Sequence, residues 1–94
     1  MSTRAERIRL LLDGAFPAAA LDLQDDSHRH AGHAGARPGG ETHYTLRLVS
    51  PAFAGMSRVA RARAVHAALA AELEGGLHAL SLQLLTPEEA AHGR

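Results

Sequence analysis

The chain has no cysteine and no tryptophan, and every one of its ten basic residues is arginine. Without cysteine there is no disulfide, no thiolate zinc site, no thiol nucleophile and no iron–sulfur centre held by this chain's own sulfur. Aromatics are scarce too: Phe16, Tyr44 and Phe53 make up 3% of 94 residues. That leaves no platform for stacking successive bases of a single strand. The core has to be aliphatic, drawn from 14 Leu and 20 Ala. Neither sign of charge is in excess. Ten arginines balance ten acidic residues, which excludes a uniformly basic coat for nucleic acid and permits only a local basic patch. Long hydrophobic runs are missing as well. The longest, residues 15–21, contains Pro17 and falls far short of the ~20 residues of a membrane span. Residues 1–9 hold no apolar stretch of signal-peptide type, so the expectation is a cytoplasmic protein without a membrane partner. At this length, with 46% hydrophobic residues, residues 1–94 read as a single domain.

The chain itself shows no internal repeat. Ser2 or Thr3 can cap a first helix with Glu6 in its first turn and Ile8, Leu11 and Leu12 on one face. Gly14 is a plausible stop, Pro17 cannot continue the helix, and Phe16 is expected to fold back onto the apolar face. Residues 19–25 alternate Leu21 and Leu23 with polar neighbours, as a strand does. Residues 28–40 are rich in His and Gly and read as a long flexible loop. Residues 42–50 form the strongest strand pattern, with Tyr44, Leu46 and Leu48 in phase and Pro51 ending it. Ser57 caps a helix expected to run unbroken to about residue 74, with an apolar stripe of Val59, Ala62, Val65/His66, Leu69 and Leu73. Gly75-Gly76 stops it. A third strand follows over residues 78–84, with His78 in phase with Leu80, Leu82 and Leu84. Thr86-Pro87-Glu88-Glu89 is a capping box with proline at the first helical position, so a short last helix begins there. The order predicts an α+β domain: a small three-stranded mixed sheet with helices packed on one face, the first pair of strands antiparallel and the second parallel.

Seven histidines in so short a chain are the anomaly of composition. Three of them, His28, His30 and His33, follow Asp25-Asp26, a set that could bind a first-row metal; a solvated polar loop is the competing reading. His78 stands on a strand beside a glycine turn, either tied to a backbone carbonyl or held as a ligand. Arg58, Arg61 and Arg63 could meet phosphates, or could simply be a solvated helix face. His66 reads as a core-edge residue, and His43 as a brace for the loop or the sheet edge. Asp25 and Asp26 are adjacent on a strand end, so their side chains diverge and make a poor acid–base pair. With no nucleophile–base pattern and no phosphate loop, no enzyme is expected.

Five segments together carry a resemblance: Asp25-Asp26-Ser27-His28-Arg29-His30, Gly39-Gly40-Glu41-Thr42-His43-Tyr44, Val49-Ser50-Pro51-Ala52-Phe53-Ala54-Gly55, Leu77-His78-Ala79-Leu80-Ser81-Leu82 and Thr86-Pro87-Glu88-Glu89. In order and spacing the chain resembles the BolA-like proteins over nearly its whole length, from about Arg4 to Glu89. The resemblance implies an αββαβ fold related to the class II KH domain. It also implies a monothiol glutaredoxin as partner and a [2Fe–2S] cluster shared with that partner and glutathione, with none held by the isolated chain, alone a monomer or weak homodimer. By position the family's C-terminal ligand falls on His78 and its loop ligand on His30, with His33 as the rival in this longer loop. The family is also linked to transcriptional regulation, which makes DNA, through Arg58, Arg61 and Arg63, the alternative partner. This chain departs from the family at the Arg-His-Arg triplet of the long helix, which here reads Arg61-Ala62-Arg63.

Overall fold

The computed structural model describes residues 3–26, 43–77 and 79–92. Helix α1, Arg4–Ala15, opens on a reciprocal cap. The Glu6 amide donates to the Thr3 hydroxyl at 3.1 Å, and the Thr3 amide donates to the Glu6 carboxylate at 2.7 Å. Ile8 and Leu12 are buried, whereas Leu11, expected on the same face, is 38% exposed. Gly14 does not end the helix. The last turn closes when the Phe16 amide bonds to the Leu12 carbonyl at 2.7 Å, and Pro17 then stops it. Pro17 and Ala18 form a tight turn closed by the Ala19 amide on the Phe16 carbonyl, with Ala18 at φ 64°.

Strands β1, Ala20–Asp25, β2, His43–Val49, and β3, Ala79–Leu85, form one sheet in the order β1-β2-β3. β1 runs antiparallel to β2, and β2 runs parallel to β3, as expected. Period-two alternation sends Leu21, Leu23, Tyr44, Leu46, Leu48, Leu80, Leu82 and Leu84 to one face, where Ile8, Leu12, Val65 and Leu69 pack on them. The opposite face carries exposed Asp22, Gln24, Thr45, Ser81 and Gln83. Between β2 and the next helix a single 3-10 turn, Pro51–Phe53, is capped by Ser50. It buries Phe53 completely, with its ring centroid 5.1 Å from that of Phe16.

The expected long helix is two. α2 is Arg58–Ala68, capped by the Ser57 hydroxyl, and α3 is Ala70–Glu74. At the junction the Glu72 amide reaches the Leu69 carbonyl, three residues back, so the ladder tightens and turns the next residues. The buried stripe is also set differently from the apolar pattern: Arg61, Val65, Leu69 and Glu72 are buried, while Val59 is 59% exposed and His66 is exposed. Two charged residues took core positions because each finds a charged partner there. Helix α4, Pro87–Ala91, opens on the expected Thr86–Glu89 capping box. No helix among the described residues is long and apolar enough to cross a membrane.

Candidate functional site

One end of the sheet gathers the chain segments that the histidine reading depends on. β1 ends there, and β2 and β3 begin there. The Asp26 amide donates to the His43 carbonyl at 2.8 Å, and the Thr45 hydroxyl donates to the Asp26 carboxylate. These two bonds close the base of segment 27–42. In the parallel pairing His43 stands opposite Ala79, at the ~4.8 Å separation of neighbouring strands. The return point of the segment and the first residue of β3 are therefore side by side. His30, His33 and His78 themselves lie outside the described residues. Among the described residues no group of three or more His, Asp or Glu is placed to hold a metal ion.

The chain leading to residue 78 is held firmly. After α3, Gly76 takes φ 124°, a backbone state that glycine adopts freely. The Leu77 amide then returns to the Glu72 carbonyl at 3.0 Å, and the Leu77 side chain enters the core. Gly75 is closely packed, since a Cβ there would sit 3.1 Å from the Ala71 carbonyl. α1 clamps this turn from outside. Arg4 donates through Nη2 to the Gly75 carbonyl at 2.9 Å and through Nε to Glu72 at 2.9 Å. Arg7 donates to the two Glu72 oxygens at 2.9 and 3.1 Å. The Arg7 hydrogen bond, reinforced by Arg4, outweighs burial and holds the Glu72 carboxyl below its ordinary range. The sequence reading missed Arg4, Arg7 and Glu72. The available signal was Glu72's position in helical phase with Val65 and Leu69.

The three arginines considered for nucleic acid are not brought together. Arg58 and Arg63 are exposed, but Arg61 is only 7% exposed. Its guanidinium donates to the Met56 carbonyl at 3.1 Å, to the Leu84 carbonyl at 3.0 Å and to the Glu89 carboxylate at 2.7 and 3.3 Å, and lies 5.8 Å from the Phe53 ring centroid. The Arg61 hydrogen bond, with the Thr86 amide behind it, lowers Glu89 to about 2. Arg61 therefore ties α2 and β3 to α4, and its charge is neutralised there. The expectation that it faces phosphate is corrected on that ground. His66 is exposed rather than at the core edge, and His92 sits with Nδ1 2.7 Å from the Glu88 carbonyl.

Comparison with known proteins gives the arrangement its family. A family model described as BolA-like protein matches residues 12–89. SufE-like protein 1, chloroplastic/mitochondrial, of Arabidopsis thaliana is 44% identical over 93 residues, which are 95% of this chain and 25% of that protein. Human BolA-like protein 1 is 44% identical over 82 residues, 87% of this chain and 57% of that protein. The chain thus spans a quarter of one relative and little more than half of the other. The solved structure of BolA1 from Arabidopsis thaliana superposes with a TM-score of 0.83 at 42% identity, covering 95% of this chain and 97% of that one. The sheet order, the capped helices and these matches agree: the chain belongs to the BolA-like protein family.

Proposed function

We propose that the protein is a non-enzymatic adaptor that binds a monothiol glutaredoxin and shares a labile [2Fe–2S] cluster with it, in iron–sulfur cluster trafficking or iron homeostasis. The observation that supports this reading most is the sheet end. There the base of the histidine-rich segment, closed by Asp26 and His43, stands beside Ala79, the residue that follows His78. A segment from one side and a strand start from the other can bring two imidazoles to one iron.

The donor chemistry fits the same reading. The chain offers imidazoles and no thiolate, so His78 with His30 or His33 would serve one iron, and the partner's cysteine and glutathione would supply sulfur to the other. Two imidazoles in place of two thiolates raise the reduction potential of such a centre and open it to loss in acid. Within the chain, the Arg4–Glu72–Arg7 clamp and the buried Leu77 hold the approach to residue 78 in place. A ligand that neighbours a braced strand in sequence costs less ordering on binding than one far from any anchor.

The test is reconstitution with a monothiol glutaredoxin, glutathione, ferrous iron and sulfide, read by visible absorption and circular dichroism. A spectrum distinct from that of the glutaredoxin alone, and lost in His78→Ala while the far-ultraviolet spectrum is kept, is the expected result. A spectrum identical with and without this chain would refute the shared cluster.

A further inference from the structure

The two edges of the sheet differ in a way the cluster reading does not use. An open edge is ordinarily guarded by charge, proline or a bulge. β1 carries Asp22 and Asp25. β3 reads Ala-Leu-Ser-Leu-Gln-Leu-Leu, with no charge, proline or glycine, and no further strand pairs with it among the described residues.

The direction of its main-chain groups follows from one bond. The Ser50 amide donates to the Leu85 carbonyl at 2.9 Å, so Leu85, and by alternation Gln83 and Ser81, face β2. Leu80, Leu82 and Leu84 then direct their N–H and C=O groups outward. The Leu84 carbonyl bears this out, since it accepts from the Arg61 side chain rather than from a strand. Leu80 and Leu82 continue the same row.

Beside this edge runs a groove of about 930 Å3 between α2, β3 and α4, lined by Met56, Arg58, Ala62, Leu82, Gln83 and His92 among others. Met56, Ala62, Leu82, Leu84 and Leu85 give it an apolar lining, to which Arg58 adds a positive charge. Arg58 is exposed at the first position of α2, and the first turn of that helix has no acidic residue. Glu89 does not offset this charge, because Arg61 occupies it.

We propose that this edge and groove accept an extended segment of a partner protein as a fourth strand, with apolar residues at alternate positions and a carboxylate at the end that meets Arg58. Main-chain bonds to Leu80 and Leu82 would set its register, and Arg58 would select its charge. A second copy of this chain paired β3 to β3 fits less well. Its own β3 has no acidic side chain to set against Arg58, and pairing the two edges would bring two such arginines into one interface. The proposal stands independently of the cluster.

The test is an amide NMR titration of the full chain. The probe is the N-acetylated, C-amidated heptapeptide Asp-Thr-Val-Thr-Val-Thr-Asp, which carries an acid at either end, on the same face as its valines, and so suits both strand directions. The expected result is shifts confined to β3 and the start of α2, with slowed hydrogen exchange at Leu82. Binding should weaken about threefold in Arg58→Gln and about threefold for the peptide with Asn in place of Asp, the loss typical of one partly screened charge pair. Arg63→Gln, exposed on the same helix but outside the groove, should bind unchanged. No shift at several millimolar peptide, equal shifts along β1, or unchanged binding by Arg58→Gln would each overturn the proposal. So would concentration-dependent broadening of β3 without peptide, which would make a second copy the occupant.

Discussion

Replacing Glu72 by Gln should destabilise the domain by about 2 kcal/mol at pH 7, and the loss should disappear in acid. Glu72 is 7% exposed and accepts three hydrogen bonds from two guanidinium groups, at 2.9, 2.9 and 3.1 Å. Each charge-assisted bond contributes roughly 1.5–3 kcal/mol when intact. Breaking a fully buried pair costs about 3–5 kcal/mol. Here the cost is smaller for two reasons. Gln keeps the shape and one carbonyl acceptor, and the Arg7 side chain, 40% exposed, can turn into water. For a domain of this size about 2 kcal/mol lowers the thermal midpoint by roughly 10 °C. The sign with pH follows from the depressed carboxyl. Folded Glu72 titrates below its unfolded value of 4.5, so its contribution is complete above that pH and is lost as pH falls through the folded value. The glutamine variant has no such term. Urea unfolding of both proteins from pH 7 to pH 3, followed by circular dichroism, should show a gap that closes below pH 4.5. Faster hydrogen exchange at the Leu77 amide should accompany it, because the same side chain braces the turn before residue 78. A gap that persists undiminished at pH 3, or no gap at pH 7, would refute the reasoning.

Two further outcomes follow from the packing. Arg61→Ala leaves the Met56 and Leu84 carbonyls without the guanidinium and the Glu89 carboxylate with the Thr86 amide alone, and should cost about 2–4 kcal/mol in urea unfolding. Arg61→Lys should recover less than half of that, since an ammonium cannot reproduce the planar fork, and full recovery would show that charge alone matters. Ala18→Gly should raise stability by about 0.5–1 kcal/mol, because Ala18 holds φ 64°, where an L side chain is strained; a lowered thermal midpoint would count against that account.

Local patterns in the sequence were sufficient for the elements that depend on near neighbours. Alternation over two residues placed Leu21, Tyr44, Leu46 and Leu82 on one face of their strands. Capping over three residues located the starts of α2 and α4 at Ser57 and Thr86 and narrowed that of α1 to Ser2 or Thr3, of which Thr3 is the cap. Proline marked the ends after Phe16 and Val49. These signals are legible because the physics that reads them, pleat geometry and unsatisfied helix amides, acts within one turn or one pleat.

The folded chain alone decided which faces of α2 and α3 are buried. Apolarity selects Val59 and Ala62 for the core, yet Val59 stays in water and Arg61 and Glu72 go inside. Their partners stand 28 and 65–68 residues away along the chain, and no local pattern reports a charge whose counter-charge arrives from another helix. The same holds for the candidate site. The sequence by itself supplied the histidines, the missing sulfur and the glycine turn. The parallel pairing across a helical crossover was legible in the order of elements, but only the tertiary structure set its register, which stands His43, at the base of the histidine-rich segment, opposite Ala79 at the start of β3.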